Sequence, residues 1–324
     1  MSVSRTKPVF TQGDEFEAIV RSYERAGGDG KNLLSPKFAS MVVSGNQVLS
    51  THELPGLEMV AEQLSDGVAA RVTVAPGTKV ELPVHLCFGV LPERGTQRIV
   101  SHFEIGAGAS VEFLAHCTFP NSVEVIHLME AEVRVGEGAR MRYSETHFHG
   151  EQSGARVVPR GRILVEKGGA YLSEFSLTEG RIGELDFDYT VDVAERGRAE
   201  LMVRAYGFGS DRLRTVETIR LNGAGARGLA KSRVAVREDA VSDVIATTEG
   251  NAPDSRGHVD CVEIVRDRAI ASAAPLVRVT CDSAYVTHEA AIGTVNKKEL
   301  ETLMARGLDE EAAVDVIVGA MLKS

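Results

Sequence analysis

Through the middle of the chain, apolar and polar residues alternate with period two. The run Ala131-Glu132-Val133-Arg134-Val135 shows it, and Leu185-Asp186-Phe187-Asp188-Tyr189-Thr190-Val191-Asp192-Val193 repeats it. Such alternation predicts strands with one buried face. The strands end at tight glycine turns that look alike: Val74-Ala75-Pro76-Gly77-Thr78, Ile105-Gly106-Ala107-Gly108-Ala109, Val135-Gly136-Glu137-Gly138-Ala139 and Leu221-Asn222-Gly223-Ala224-Gly225-Ala226. Val165-Glu166-Lys167-Gly168-Gly169-Ala170 and Val193-Ala194-Glu195-Arg196-Gly197-Arg198-Ala199 belong to the same series. Aligned on the small residue after the turn, Thr78, Ala109, Ala139, Ala170, Ala199 and Ala226 recur at intervals of 31, 30, 31, 29 and 27. Glycine supplies the positive φ of a corner, and the small residue fits inside a narrow coil. A unit of this kind cannot bury its inner face alone, so neighbours stack. Hairpins would instead show two-residue Asn-Gly or Asp-Gly turns every 8–12 residues. The pattern therefore predicts a mainly β protein built as a parallel β-helix, a solenoid over residues 71–293.

Helical periodicity flanks the solenoid. Over residues 14–26, Phe16, Ile19, Val20 and Tyr23 form one apolar stripe, ended by Gly27-Gly28. Residues 1–70 are read as a helical and mixed region, and residues 294–324 as a helical hairpin. In the hairpin Asn296 caps a first helix bearing Leu300, Leu303 and Met304, and Gly307 stops it. Asp309 then starts a second helix bearing Ala313, Val316, Ile317 and Ala320.

Composition narrows the function. With 43% hydrophobic and 25% charged residues the chain has a globular make-up. Lys and Arg number 36 against 46 Asp and Glu, a formal charge of −10, which argues against a nucleic-acid partner. No apolar run reaches the roughly 18–20 residues of a membrane helix. Met1 to Gln12 lacks the apolar core of a signal peptide, so a cytoplasmic location is expected. The absence of Trp and an aromatic content of 5% disfavour a carbohydrate-active β-helix, which stacks sugars on exposed aromatics. No GxxxxGK[ST] loop occurs, so no ATPase motif lies in this chain, and no flavin fingerprint is visible.

The candidate chemistry lies near the end of the repeat. Four cysteines, Cys87, Cys117, Cys261 and Cys281, are too few and too dispersed for a disulfide framework, and they form no CxxC zinc motif. Cys261 follows His258-Val259-Asp260, and Cys281 precedes Thr287-His288-Glu289-Ala290. Thiolate, imidazole and carboxylate are ligands for iron. Alternation puts His288 and Glu289 on opposite faces, which invites a site completed by a second chain. A reactive Cys261 calls for electropositive neighbours, for which Arg256, Arg266 and Arg268 are candidates. Against this stands the ordinary role of free cysteine as a small buried hydrophobe. His147 and His149 form an HxH pair without a third ligand at diagnostic spacing, and read as two exposed strand histidines. Asp186, Asp188 and Asp192 read as the solvated face of a strand.

Four segments in order, Gly257-His258-Val259-Asp260-Cys261, Ala274-Pro275-Leu276-Val277, Thr287-His288-Glu289-Ala290-Ala291-Ile292-Gly293 and Leu303-Met304-Ala305-Arg306-Gly307-Leu308-Asp309-Glu310-Glu311-Ala312, resemble the SufB/SufD family of iron–sulfur cluster assembly scaffolds. The detailed likeness covers residues 257–321 and extends loosely back to about residue 70. It differs in Ala291 where the family has threonine, in Val262-Glu263 after the cysteine, and in a shortened N-terminal region without CxxC. The resemblance implies a right-handed parallel β-helix with helical ends and a non-enzymatic scaffold for a nascent iron–sulfur cluster. Carried over, Cys261 accepts sulfur or binds the cluster, Glu289 is an iron ligand, and His288 is contributed across an interface. It also implies a homodimer, or a pair with a SufB/SufD paralogue, and a sulfur donor such as a cysteine desulfurase. A SufC-type ABC ATPase would dock on the C-terminal helices through Leu300, Leu303, Met304, Leu308, Val316 and Ile317. Flavin binding stays open. The alternative is a structural interaction module whose cysteines are inert.

Overall fold

Alternating strands joined by short corners can bury their apolar side only by stacking. The computed structural model, which describes residues 13–152 and 154–324, shows that arrangement. Met1–Gln12, the stretch without an apolar leader core, lies outside the described residues. Helices α1 (Asp14–Arg25) and α2 (Gly30–Leu34) precede β1 (Ser40–Ser44), β2 (Gln47–His52), β3 (Leu57–Gln63), β4 (Gly67–Val74) and β5 (Val84–Gly89). Then come β6 (Arg94–Ile105), β7 (Ser110–Phe119), β8 (Glu124–Val135), β9 (Arg140–His149), β10 (Ala155–Val165), β11 (Ala170–Glu179) and β12 (Gly183–Val193). The series continues with β13 (Arg198–Gly207), β14 (Arg212–Leu221), β15 (Arg227–Val236), β16 (Val241–Gly250), β17 (Arg256–Val265), β18 (Ile270–Val279) and β19 (Tyr285–Gly293). Helices α3 (Lys297–Met304) and α4 (Glu310–Lys323) follow.

From β4 onward each strand pairs in parallel with the strand two places along. Even-numbered strands from β4 build one wall and odd-numbered strands from β5 the other, giving a parallel β-solenoid of about eight turns. Among the named strands, β1–β2 and β3–β4 pair antiparallel and extend the two walls at the N-terminal end. The sheets therefore begin at Ser40, inside the region read as helical and mixed. Inward residues of both walls form one continuous core, with edge-to-face rings such as Phe103 and Phe113 at 5.2 Å. Each fully buried large apolar side chain contributes about 1.5–3 kcal/mol.

Backbone register corrects the alignment of the repeat. Arg140 pairs with Ala170, Ala170 with Arg198 and Arg198 with Arg227. The slot occupied by Ala109 and Ala139 is therefore filled next by Gly169 and Gly197, not by Ala170 and Ala199. Ala226, Ser255 and Ala284 continue it, because Arg227 pairs with Arg256 and Arg256 with Tyr285. The residue before the slot takes positive φ at Gly108 (67°), Gly138 (64°), Gly168 (63°), Arg196 (55°), Gly225 (68°) and Asp254 (58°). Ala109, Ala139 and Ala226 are fully buried, as a narrow coil requires.

The outer faces are laced between turns. Arg134 reaches Glu104 and Glu166, Arg142 reaches Glu112 and Glu174, and Asp186 is held by Arg160 and Arg214. Asp188 pairs with Arg162, and Asp192 accepts a hydrogen bond from Asn222. The Asp186/Asp188/Asp192 row is thus an outer ion-pair and hydrogen-bond ladder. Helix α1 lays Phe16, Ile19 and Tyr23 on the outside of the odd wall, over Val42 and Cys87. Asn296 caps α3 by accepting from the Lys298 and Glu299 amides, and Asp309 caps α4 through Ala312 N. No helix among the described residues is long and apolar enough to cross a membrane.

Candidate functional site

Cys261 lies on β17, where Gly257, Val259, Cys261 and Glu263 point into the lumen. Its thiol is fully buried, with Ser232 in register on one side and Ala290 on the other. The surroundings are not purely apolar. Glu217 from β14 points inward and accepts a hydrogen bond from Ser232 Oγ at 3.0 Å, and Glu263 accepts one from Ser242 Oγ at 2.6 Å. Burial pushes the Glu217 carboxyl up to about 8, against the pull of Ser232, and the Glu263 carboxyl up to about 7. Burial, then the charge of Glu217, pushes the Cys261 thiol up to about 12, while a hydrogen bond with Ser232 works the other way. As folded in a single chain, the sulfur is a protonated thiol.

The expected electropositive neighbours are not beside it. Arg266 lies at the following corner against Glu311, Arg268 pairs with Asp239, and Arg256 points outward. Period two turns these arginines away from the lumen or places them in corners, so the titratable groups facing the thiol are carboxyls.

β19 is the last rung above Cys261. His288 is in register with Val259, so it shares the inward side with Cys261 one step along the strand. Glu289 is in register with Asp260 on the outward side, where its Oε1 lies 3.5 Å from His258 Nε2. His258 Nδ1 is 2.8 Å from Thr287 Oγ1. Asp260 is held below the usual carboxylate range: partial burial opposes this, but the Arg233 guanidinium, 2.5 Å away, prevails. One chain therefore brings Cys261 and His288 to the same side and leaves Glu289 on the other face.

Among the described residues, no further strand covers β18 and β19. Ile270, Leu276, Val279, Tyr285 and Ile292 stand exposed along them, Tyr285 at 64%. Behind this end, α4 packs Val314, Val318 and Leu322 on Ala235 and Ile264. The buried stripe of α4 is thus one position on from Ala313, Val316, Ile317 and Ala320, although Ala313 is buried too. Leu300 is partly buried against this cluster, while Met304 and Val316 remain exposed. Leu303, Val316 and Ile317 line an open groove between α3 and α4, and Leu308 is half-buried in the turn between these helices.

His147 and His149 are not exposed strand histidines; both are about 1% exposed and face the lumen. With Met141, Tyr143 and Glu145 they form the inward row of β9. Burial, with neighbouring histidines adding to it, holds His127 and His149 well below the usual imidazole range, so both are neutral. The signal was in the sequence. Following the phase from Met141 and Tyr143 puts Glu145, His147 and His149 inside, and following Leu213, Ile219 and Leu221 puts Glu217 inside.

Known proteins share sequence with this chain over most of its length. A family described as "SUF system FeS cluster assembly, SufBD core domain" matches residues 92–321. An iron–sulfur cluster assembly SufBD family protein of Methanocaldococcus jannaschii is 33% identical over 95% of this chain and 98% of its own length. One from Pyrococcus horikoshii is 33% identical over 95% and 94%. The iron–sulfur cluster assembly protein SufB of Bacillus subtilis is 22% identical over 76% of this chain and 53% of its own. With a family match over most of its length, and relatives that span nearly all of it, the chain belongs to the SufBD family of iron–sulfur cluster assembly proteins.

Proposed function

We propose that this chain is a scaffold on which a nascent iron–sulfur cluster is built, acting in the cytoplasm with a separate ABC-type ATPase. The observation that carries this is the uncovered end of the solenoid, with the Cys261 thiol one rung below it and His288 on the same side. Two chains meeting through β18 and β19 would bury the exposed apolar row and satisfy the open strand edges. A two-fold interface would also bring a second His288 and Glu289 to the site, supplying the imidazole and carboxylate that one chain holds apart. Iron and sulfur are cargo here; a cysteine desulfurase is the kind of donor that hands over the sulfur as a persulfide, and its reduction to sulfide takes two electrons from a separate reductant. Ser232 links the Cys261 thiol to Glu217, but burial leaves the Glu217 carboxyl protonated at neutral pH, so the thiol's proton leaves to solvent when the site opens to sulfur or iron. Because the thiol is buried, the last rung must open. An ATPase docked on Leu303, Met304 and Val316 stands where its cycle would act on that rung.

The test is anaerobic reconstitution with ferrous iron and sulfide. Cys261→Ala is expected to lower cluster yield at least fivefold, read by visible absorption and by acid-labile sulfide. An unchanged yield would defeat the scaffold reading. The burial and raised pKa of Cys261 favour a second reading, an interaction module with an inert cysteine. Under it, Cys261→Ser would sustain cluster delivery in cells while Val316→Asp, by losing the ATPase, would not.

A further inference from the structure

A second group of reactive side chains lies inside the lumen, well away from the C-terminal end. β7 and β9 are parallel neighbours with Cys117 opposite His147 and Phe119 opposite His149. Glu145 is one inward step before His147, and His127 enters from β8 in the other wall. Cys117, Glu145 and His147 are each buried, and one donor atom from each lies within 4.8 Å of the other two. His147 Nε2 is 2.6 Å from Glu145 Oε1, and Cys117 Sγ is 4.0 Å from the same oxygen. Four rungs of about 4.8 Å separate β9 from β17, so the group is roughly 19 Å from Cys261.

A hydrogen-bonded His–Glu pair alone would be an ordinary buried polar contact. The neighbouring side chains make it more than that. His127 and His149 are fully buried, and neither nitrogen of either ring has a hydrogen-bond partner. Glu145 Oε2 and His147 Nδ1 are also unpartnered. The rings gather around His147, with centroids of His127 at 5.9 Å and of His149 at 5.8 Å. Each unsatisfied buried polar atom loses its hydration without a replacement, whereas Leu or Phe would fill the same space without that loss. Six such atoms in one stretch of lumen are chemistry in want of a ligand.

We propose that this part of the lumen binds one divalent transition-metal ion of intermediate softness, zinc or ferrous iron. Cys117 Sγ, Glu145 Oε1 and His147 Nε2 hold it, and an imidazole of His127 or His149 completes the set. A thiolate with imidazoles and a carboxylate selects such ions over magnesium and calcium, which take oxygen ligands. In a tetrahedral site, ligand atoms sit about 3.3–3.8 Å apart, so Glu145 and His147 need separate by less than an ångström and Cys117 close slightly. On binding, the ion takes the place of the hydrogen between His147 Nε2 and Glu145 Oε1, with the ring proton of His147 moving to Nδ1, and the Cys117 thiol proton leaves to solvent. The inference does not rest on the scaffold reading, since it concerns residues that the C-terminal site does not use.

The test uses full-length protein with Cys261→Ser and Cys281→Ser, which removes the thiols nearest the C-terminal end. This protein is purified anaerobically from iron- or zinc-supplemented cultures, and in parallel refolded with cobalt(II) and dialysed against a weak chelator. About one metal per chain is expected by elemental analysis, which also distinguishes zinc from iron. The cobalt form should show a thiolate charge-transfer band, and metal content should fall at least fivefold when Cys117→Ser or His147→Phe is added. Should those variants misfold, X-ray absorption on the zinc form reads the ligands directly, with one sulfur expected at about 2.3 Å. Less than about 0.1 metal per folded chain, a metal without a sulfur ligand, or retention despite Cys117→Ser in folded protein would overturn the proposal.

Discussion

Glu217 illustrates what burial does to one side chain. Its carboxyl sits in the lumen and is pushed up to about 8, with only the Ser232 hydroxyl to favour the charged form. A carboxyl whose pKa is higher folded than unfolded leaves the folded state binding more protons, so its effect is least harmful at low pH. Stability should therefore decline as pH rises from about 4.5 to about 8. Glu217→Gln keeps an acceptor for Ser232 and removes the charge. The variant is expected to match the parent near pH 5 and to exceed it near pH 8 by a few kcal/mol, read by urea unfolding at both pH values. Equal stability of the two proteins at pH 8 would mean that Glu217 is not held in a dry lumen.

At the scale of strands and corners, the turn before each odd-numbered strand is the repeating device, and its positions differ in what they demand. Gly138 has φ of 64°, and a Cβ there would meet nothing within 4 Å. Gly138→Ala should thus cost only the left-handed backbone penalty, about 1 kcal/mol. Gly223 has no positive φ, but a Cβ there would fall 1.9 Å from the Glu195 backbone nitrogen of the preceding turn. Gly223→Ala must separate two turns and should cost several-fold more. Arg196 occupies the same left-handed position as Gly138, so Arg196→Gly should stabilise by up to about 1 kcal/mol. Denaturant midpoints of the three variants rank the effects, and the order Gly223→Ala, Gly138→Ala, parent, Arg196→Gly is expected.

For the whole molecule the two ends of the solenoid are unlike. At the N-terminal end the pairs β1–β2 and β3–β4 extend the walls, and α1 and α2 pack beside them. At the C-terminal end β18 and β19 present open edges and an apolar row. An end of this kind calls for a partner, and a second copy would bury both rows at once. Sedimentation velocity is expected to show a dimer of 34.8 kDa chains, reduced to monomer by Leu276→Asp combined with Tyr285→Asp. A parent protein that sediments as a monomer at micromolar concentration would remove the two-chain site.

Much of this was legible along the chain because it depends on local periodicity. Alternation assigns each strand residue to a face, and corners near 30 residues apart announce a stack. Asn296, Gly307 and Asp309 mark the helical hairpin by capping chemistry alone. Face assignment also contained the inward course of Glu145, His147 and Glu217, though only once carried through polar residues instead of stopping at them. What alternation cannot supply is the rung. The corner slots lie 28 to 31 residues apart, and only hydrogen bonding between neighbouring turns settled that Gly169 and Gly197 fill the small slot. The same long-range pairing set Cys117 opposite His147 and put His288 beside the Cys261 side of the lumen while turning Glu289 outward. Period two is a property of one strand; which residues become neighbours depends on the length of every corner between them, and that is summed only when the backbone closes its hydrogen bonds.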